Sequence, residues 1–384
     1  MFENLSYLAL QQYWWIIISL LGSLLVFMMF VQGGQTLISQ VGKTKLERSL
    51  LVNTIGRKWE ITFTILVTFG GAFFASFPLF YSTSFGGAYW VWMILLFSFI
   101  IQAVSYEYRT KANNFLGQKT FDTFLLINGI LATILIGAAV GTFFTGSEFS
   151  IDKLRITDIN NPVISRWENP YHGLEAVINI TNISLGLAIF FLTRILALMY
   201  FINSVENENI ILKSKKVLKT NVLPFLVFFL LFVVLMLTRE GFTVDPLTKI
   251  VSMEKFKYLH NLLQMPIVLI IFLIGIIGVL SGILLTLLRK SRKGIWFSGL
   301  GTVLTIFSVF MLAGFNNTAY YPSTYDLQSS LTIQNSSSSK YTLTAMSYVS
   351  LLVPIVIAYI WYAWKSINKK RIDENNLKMD EMKY

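Results

Sequence analysis

Cysteine is absent from this chain of 384 residues, which has only two histidines and is only 13% charged. The missing cysteines exclude disulfides, thiolate chemistry, iron–sulfur ligation and cysteine-type zinc sites. A haem held in a helix bundle needs axial ligands such as His or Met that project into the core. Both histidines, His172 and His260, fall in polar connections, and the twelve methionines are scattered among apolar positions. We therefore expect no haem in this chain.

Hydrophobic residues make up 54% of the chain. A soluble protein of this length could not bury so much apolar surface, so its solvent must be mostly lipid. The formal net charge is +11, but the positive residues lie between the apolar runs. This distribution indicates membrane topology rather than a nucleic-acid-binding surface, and nucleic acid is not an expected partner.

Nine apolar runs have about the length, roughly 20 residues, that a hydrocarbon core requires. The first run is too long for a signal-peptide core and has no basic residue before it, so we expect a retained helix rather than a cleaved signal. The nine predicted spans are Trp14–Ile38, Glu60–Tyr81, Ala88–Tyr106, Phe121–Thr145, Ala176–Asn203, Asn221–Leu237, Met265–Leu288, Ile295–Phe315 and Thr344–Ile367.

Most of the 31 lysines and arginines lie in the odd-numbered connections and in the C-terminal segment. The positive-inside rule then places the N-terminus outside and the C-terminus in the cytoplasm. The long connections 146–175, 239–264 and 316–343 fall outside and are polar, so we expect surface loops rather than a folded domain. The charged tail 368–384 is expected to be partly disordered.

Ionisable residues within a membrane are costly and are therefore candidates for function. Four of them lie in or beside the predicted spans: Glu60, Glu107, Asp122 and Arg194. Glu60 follows Trp59 at the head of the second span, where it is either an interfacial charge or a proton acceptor. Glu107 has cations nearby, so a structural ion pair is as good an interpretation as a proton site.

Arg194 lies inside the fifth predicted span, about nine residues from its cytoplasmic end. At 1.5 Å per residue this is roughly 13 Å, a distance that a snorkelling side chain covers only with difficulty. Unpaired burial would be expensive, so we expect Arg194 to pair with a carboxylate or a backbone carbonyl inside the bundle.

Several stretches occur in the same order as in a known family, and they extend over almost the whole chain. The stretches are RKWEITFTILVTFGGAFFASFPLFYSTSF (Arg57–Phe85), SYEYRTK (Ser105–Lys111), NPYHGL (Asn169–Leu174), SLTIQNSSSSKYTLTAMSYVS (Ser330–Ser350) and VPIVIAYIWYAWK (Val353–Lys365). In these stretches the sequence resembles subunit II of cytochrome bd-type quinol oxidases.

The resemblance implies an all-α integral membrane protein with two four-helix bundles plus one extra helix. On this sequence the units would be a first bundle at 1–145, an outer loop at 146–175, a second bundle at 176–315, an outer loop at 316–343, the ninth helix at 344–367 and a cytoplasmic tail at 368–384.

The resemblance also implies a haem-free partner of a haem-bearing subunit I in the bacterial cytoplasmic (inner) membrane. Subunit I would hold haems b and d and the quinol site, and the complex would oxidise quinol, reduce dioxygen to water and take protons from the cytoplasm. Some members contain a structural quinone in subunit II, and small accessory subunits are left open. An acidic residue after a tryptophan near the start of the second helix belongs to a proton pathway, and Trp59-Glu60 occupies that place here, with Glu107 as a second candidate.

Two features depart from the family pattern. Many relatives have Asp after the tryptophan, whereas Glu60 is longer by one methylene. In VQGGQTL, Gln32 and Gln35 stand where many relatives have Asp. Amides can hydrogen-bond and support a polar path of water molecules, but they cannot hold a titrating proton. Glu60 would therefore carry more of a proton path in this chain.

Two other functions remain open. In a secondary transporter, Glu60 and Arg194 would form a substrate site, although transporters usually show matched Gly/Pro interruptions in both halves and no such pair is visible. In a purely structural membrane partner, Glu60 would only cap a helix.

Overall fold

Inside a bilayer the backbone must satisfy its own hydrogen bonds, so a long apolar run closes as a helix. A computed structural model describes residues 2–111, 113–289, 291–367 and Ile372. Within these residues, nine helical segments are long and apolar enough to cross a membrane. The predicted number of spans is confirmed.

Short interruptions divide some spans, so the described residues form fifteen α-helices. They are α1 Tyr7–Met28, α2 Phe30–Gln35, α3 Ile38–Val41, α4 Lys45–Ser76, α5 Pro78–Gly87, α6 Tyr89–Tyr108, α7 Gln118–Thr145, α8 Ile180–Ser204, α9 Glu208–Thr238, α10 Lys257–Gln264, α11 Pro266–Leu287, α12 Gly294–Gly314, α13 Ile333–Ser336, α14 Lys340–Ser350 and α15 Val353–Ile367.

The interruptions follow from local sequence. Pro78 begins α5, because a proline at the first helical position loses no hydrogen bond there. The ninth span is broken between α14 and α15, immediately before Pro354. Proline cannot continue the hydrogen-bond ladder of a preceding helix, so the chain restarts as α15.

Two helices begin much earlier than the apolar runs predict. The structure starts α4 at Lys45 rather than at Glu60, and α9 at Glu208 rather than at Asn221. Thr44 caps α4 in a capping box with Glu47, and Asn207 caps α9; such caps satisfy amide groups at a helix start. The predicted starts of these two helices were wrong. The apolar runs mark where lipid begins, and both helices extend beyond that boundary.

The two ends of the bundle differ in chemistry. At one end, here called the basic end, Lys213 pairs with Glu47 at 3.0 Å and Asn203 donates to the backbone oxygen of Arg292 at 2.9 Å. These contacts join the first, fifth and seventh connections. At the other end, here called the cap end, the long connections meet through bridges such as Ser147 with Ser323.

The cap end is folded, which corrects the prediction of surface loops. Strands β1 (Phe149–Ile151) and β2 (Ser165–Trp167) form one antiparallel hairpin, with Phe149 opposite Trp167. Strands β3 (Glu240–Val244) and β4 (Val251–Lys255) form a second hairpin. The second hairpin packs a small core of its own with residues of the last long connection. That core contains Phe242, Val244, Val251 and Ala319.

Helix α8 lies at the centre of the bundle, where most of its span is buried. Its close neighbours reach it through glycines: a Cβ at Gly137 of α7 would lie 2.6 Å from the Cα of Gly186. Small residues allow such backbone contacts in membrane bundles. Helices from both halves share one buried core, so the predicted unit boundaries stay predictions. Apart from Ile372, the predicted tail lies outside the described residues.

Candidate proton site and membrane cavity

The pair Trp59-Glu60 lies near the middle of α4 and not at its first turn. Arg57 and Lys58 directly precede the pair, and the residues after Glu60 carry no charge up to the end of α4. Glu60 is therefore the last charged residue of α4 before the lipid-facing part of the helix.

The side chain of Glu60 points away from the bundle and is exposed in this chain. Among the described residues, no hydrogen bond or ion pair involves its carboxylate. One turn further along α4, Thr64 donates to the backbone oxygen of Glu60 at 2.8 Å, and Thr68 donates to Thr64 in the same way at 2.7 Å. Glu60, Thr64 and Thr68 thus form a polar stripe on the outer face of α4.

Trp59 points in the other direction and connects α4 with α6 and α2. Its ring stacks on Tyr106 with the ring centroids 5.7 Å apart, and Gln35 donates from Nε2 to the Tyr106 hydroxyl at 3.2 Å. The structure therefore brings Trp59 and Gln35 together through Tyr106, a residue that sequence reasoning missed.

Buried amides line the interior behind Trp59. Gln32 and Gln102 are fully buried, and their side-chain amides have no hydrogen-bond partner among the described residues. Gln35 Oε1 and Asn128 Oδ1 are also unpartnered there. Buried polar groups are almost always satisfied, commonly by internal water. Gln102 and Asn128 gave no signal in the sequence.

The other predicted carboxylates have partners. Glu107 forms an ion pair with Lys111 at 2.9 Å, and both side chains are exposed, at 61% and 59%. Asp122 accepts a hydrogen bond from Nε of the buried Arg109 at 2.7 Å. Neither carboxylate contacts Glu60.

Arg194 has partners, but they are neutral side-chain oxygens. Its guanidinium donates to Asn221 Oδ1 at 2.7 Å, to Thr36 Oγ1 at 2.8 Å and to Gln40 Oε1 at 2.6 Å. The expected carboxylate or backbone carbonyl is not found among the described residues. The polar residues of α2 and α3 reach Arg194 first, because α2 packs closely on α8.

The side chain of Lys58, the residue before Trp59 in α4, is fully buried. Its ammonium lies 4.6 Å from the ring centroid of Trp364 in α15 and has no hydrogen-bond partner among the described residues. A cation over an indole face is stabilised by the ring quadrupole. Lys58 therefore connects α4 to the ninth span, a contact that its sequence neighbours do not indicate.

A large cavity lies between α4, α5, α6 and α7. Its volume is about 800 Å³, and apolar side chains such as Leu66, Val67 and Leu95 form most of its wall. Gly70 and Gly71 also line it, and a Cβ at either position would meet no other atom within 4 Å. Nothing in the described part of the chain requires small residues at these two positions.

The cap end of the cavity is polar. Glu175 accepts hydrogen bonds there from Trp167 Nε1 at 3.0 Å and from the backbone amide of Gly173 at 2.8 Å. Burial raises the pKa of Tyr321 to about 12, so this phenol stays a hydrogen-bond donor at neutral pH. Asn182 lines the same wall. An apolar cavity with a few polar groups at one end fits an amphipathic ligand.

The two histidines lie at the cap end. The ring of His172 packs at a tilt against Tyr89, with the ring centroids 4.4 Å apart, and its Nδ1 lies 3.1 Å from the backbone oxygen of Gly87. His260 is hydrogen-bonded to Glu254 at 2.7 Å. Neither ring projects between the spanning helices as a haem ligand would, so these histidines do not fit a bundle haem. In the described part of the chain, no three His, Asp or Glu side chains are grouped to hold a metal ion.

The sequence model of the family described as cytochrome bd terminal oxidase subunit II matches residues 10–367. The chain belongs to this family. It is 27% identical to cytochrome bd-I ubiquinol oxidase subunit 2 of Escherichia coli strain K12, over 97% of this chain and 98% of that protein. It is 26% identical to cytochrome bd ubiquinol oxidase subunit 2 of Bacillus subtilis strain 168, over 92% of this chain and 94% of the relative.

A solved structure supports the fold of this family member. A chain of the bd oxidase from Geobacillus thermodenitrificans superposes with a TM-score of 0.57, covering 94% of this chain and 98% of that one at 11% sequence identity. At this identity the likeness concerns the fold. As a cytochrome bd subunit II, the chain is part of a membrane-bound oxidoreductase and implies a subunit I as its partner.

Proposed function

We propose that this chain is the haem-free subunit of a quinol:oxygen oxidoreductase in the bacterial cytoplasmic (inner) membrane, where it stabilises a haem-bearing subunit I and admits protons at Glu60. Family membership supports the subunit assignment. The placement of His172 and His260 in cap-end contacts supports haems b and d in the partner. The basic end would face the cytoplasm, because positive residues are retained on that side.

The observation that carries the proton role is the state of Glu60. It is a carboxylate at the membrane boundary, exposed on the outer face of α4 and without a partner in the described residues. A carboxylate facing lipid would be costly, so a neighbouring subunit or water should cover it. The buried amides behind Trp59 supply hydrogen-bonding groups for water but no second titrating carboxylate.

The outer face of α4 also supports a docking role. Thr64 and Thr68 follow Glu60 along this face and are exposed in this chain. Helix contacts in membranes are enriched in small residues and hydroxyls. Subunit I covering this face would bury the stripe and shield Glu60 from lipid, while leaving it open to the cytoplasm.

The cavity between α4 and α7 supports a bound quinone with a structural role. An isoprenoid tail would lie along Leu66, Val67 and Leu95, and the head group would meet the polar groups at the cap end, including Tyr321. Quinone bound there would fill the space between the helices and hold them together. Small accessory subunits would have to bind elsewhere.

Replacing Glu60 with Ala tests the proton role. Oxygen reduction should slow by roughly tenfold or more, toward the low side of what a positioned proton-transfer group contributes. The haem content of the purified complex should stay unchanged, and Glu60→Asp should restore most of the rate. Turnover with quinol, proton uptake and haem spectra are the measurements.

Glu107→Gln is the matched control, because it removes an exposed carboxylate that already has a partner in Lys111. As the weaker candidate, it should change turnover by less than roughly twofold, the scale of an exposed ion pair. Normal turnover and proton uptake in Glu60→Ala would refute the proton role. Loss of haem in that variant would instead indicate a structural role.

A further inference from the structure

The large cavity between α4, α5, α6 and α7 is open on one side. Several of its apolar lining residues are also exposed, among them Val67 and Phe74 on α4 and Met93 and Leu96 on α6, with exposed fractions of 41% to 59%. A side chain that lines a cavity and is also exposed lies at the mouth of that cavity. This opening between α4 and α6, bordered by these four residues, is here called the portal. It faces sideways out of the bundle, within the spanning part of both helices.

Aromatic pairs join α4 and α6 on the basic side of the portal. Trp59 stacks on Tyr106, and one turn further along α4 the ring centroid of Phe63 lies 5.7 Å from that of Phe99. The next turn of α4 towards the cap end contributes Val67 to the cavity wall instead. The two helices therefore meet near the basic end, and the portal begins where these ring contacts end.

A series of rings borders the portal on its cap side. It runs from Phe74 of α4 through Tyr81 and Phe85 of α5 to Trp92 of α6, with neighbouring ring centroids 5.1, 4.4 and 3.9 Å apart. Trp92 also donates from Nε1 to the backbone oxygen of Ser84 at 3.1 Å. Contacts between aromatic rings add to the energy of their burial. The portal is therefore bordered by packed rings on both its basic and its cap side.

The cap end of the cavity is packed against the connection that precedes α8. A Cβ at Gly87 would lie 2.5 Å from the ring of Trp167, and a Cβ at Gly173 would lie 2.6 Å from the Cβ of Ala88. Such close contacts leave little room for a long molecule to pass. An apolar chain that occupies the cavity would therefore enter through the portal, whose borders are apolar, rather than past this packed connection.

The portal adjoins the polar stripe that Glu60, Thr64 and Thr68 form on α4. Residues seven apart lie on the same side of an α-helix, so Val67 at the edge of the portal is on the side that carries Glu60. Val67 also lies three residues after Thr64, which makes the two side chains neighbours on the helix surface. A protein surface that covers the stripe therefore contacts Val67 and reaches the portal.

Lipid is a poor cover for this side of α4. The side chains of Glu60, Thr64 and Thr68 are exposed in this chain. A carboxylate that faces hydrocarbon is costly, and hydroxyl-bearing residues are enriched where membrane helices pack on one another. The portal beside them is apolar on both helices. The surface that fits this side of the chain is thus a protein surface with a polar contact at the stripe and an apolar contact at the portal.

We propose that the cavity is a shared site, which subunit I closes when it docks on α4 and α6, so that a quinone enters through the portal before docking and is then trapped. Both the quinone and the docking face are those of the proposed function, on which this shared site rests. The new element is an order of assembly, with the ligand first and the partner second. A quinone trapped in this way contacts both subunits and does not exchange with quinone dissolved in the membrane.

A first experiment determines what covers the portal. The complex is purified with benzoylphenylalanine, a photoreactive amino acid, in place of Val67, and illumination should join this position covalently to subunit I. The matched control carries the same replacement at Leu223, which is 69% exposed on α9, a helix that packs mainly on α8. Position 223 should form no adduct with a protein. No adduct at position 67, or equal adducts at both positions, would overturn the proposal.

A second experiment determines whether the quinone is trapped. The wild-type complex is reconstituted into liposomes that contain an excess of a quinone with a shorter isoprenoid chain than the native one. After turnover the complex is purified again, and its quinones are extracted and identified by mass spectrometry. Wild type should keep most of the native quinone of the cavity, while quinone at the quinol-oxidising site is replaced. Complete replacement of the native quinone in wild type would show that the cavity stays open to the membrane, and it would overturn the trapping.

Phe74→Ala removes one ring from the border of the portal, so native quinone should be replaced severalfold faster than in wild type. Phe97→Ala is its matched control, because Phe97 of α6 is exposed to a similar degree, 57% against 59%, but does not line the cavity. Equal exchange in the two variants would overturn the portal as the route. If Phe74→Ala does not assemble, the wild-type exchange and the adduct at position 67 decide.

Failure of the proposed quinone site would look different. In that case a variant that fills the cavity, Gly71→Leu, would hold as much quinone as wild type. The adduct at position 67 does not depend on quinone, so it would still show whether subunit I covers the portal.

Discussion

At the cap end, the carboxylate of Glu254 contacts two residues of α10, His260 and Lys257. His260 donates to it at 2.7 Å, and Lys257 lies 3.3 Å away. The hydrogen bond from His260, aided by the charge of Lys257 against the opposing effect of burial, lowers the pKa of Glu254 below its ordinary value of 4.5. A carboxyl group with a lowered pKa stabilises the fold above its unfolded pKa and loses that contribution as pH falls through the folded value.

We therefore expect the cap end to lose stability below about pH 4.5, the range in which Glu254 begins to take up a proton. Thermal unfolding of the purified protein between pH 7 and about pH 4 measures this. Wild type should lose more of its unfolding temperature across this range than Glu254→Gln does. An equal loss in both proteins would mean that other carboxylates govern the acid response.

For single residues, the sequence indicated which side chains were candidates better than it indicated their contact partners. Glu60 was predicted at a membrane boundary, and the structure shows it exposed near the middle of α4. The partners of Lys58 and Arg194 were not predicted, because both lie on helices distant in sequence. The ring of Trp364 and the amide of Asn221 reach them only after the bundle has formed. Periodicity and local charge carry no information about such contacts.

At the scale of helices, the contact between α2 and α8 depends on Gly33. A Cβ at this position would overlap the backbone carbonyl of Thr193, the residue before Arg194. Close contact of two helix backbones is a common use of glycine in membrane bundles. Gly33 therefore sets the distance at which Thr36 can reach the guanidinium of Arg194.

Gly33→Ala should destabilise the protein by about 1–3 kcal/mol, as overpacking of a tight contact does. Gly70→Ala is the control, since a Cβ there meets no atom within 4 Å; it should be neutral or stabilise α4 by roughly 0.5–1 kcal/mol. Thermal unfolding in detergent compares the two variants. If both variants unfold at the wild-type temperature, the α2–α8 contact is less tight than the structure indicates.

The ends of the helices were harder to predict from the sequence than the presence of the spans. Hydrophobic runs located all nine spans, because lipid imposes a minimum apolar length. They missed the first turns of α4, where Asn53, Thr54 and Lys58 are polar by sequence yet buried against neighbouring helices. The two hairpins at the cap end were missed for a related reason. Their strands have three to five residues and are held by contacts between separate connections.

At the scale of the whole molecule, the cavity exists because several distant segments enclose it. Helices α4, α6 and α7 form its wall, and Trp167, Glu175 and residues near Tyr321 close its cap end. No single segment of the sequence indicates it. Gly70 and Gly71 line this cavity and border open space in this chain.

Gly71→Leu fills part of this cavity without a clash, because a Cβ at Gly71 meets no atom within 4 Å. If quinone occupies the cavity, the purified complex should lose most of the quinone that organic extraction recovers from wild type. Haem content should stay the same, because no haem ligand is altered. The unfolding temperature should fall, since a ligand that binds only the folded state stabilises it.

Gly86→Leu provides the comparison, because Gly86 also borders open space but does not line the cavity. Both substitutions place leucine at a helical glycine, so a difference between them reports the cavity rather than helix propensity. Quinone retained equally by both variants would show that the ligand lies elsewhere, in the partner subunit. Quinone lost only from Gly71→Leu, with a lower unfolding temperature, would show that this subunit contributes to the oxidase by holding a ligand that stabilises its own fold.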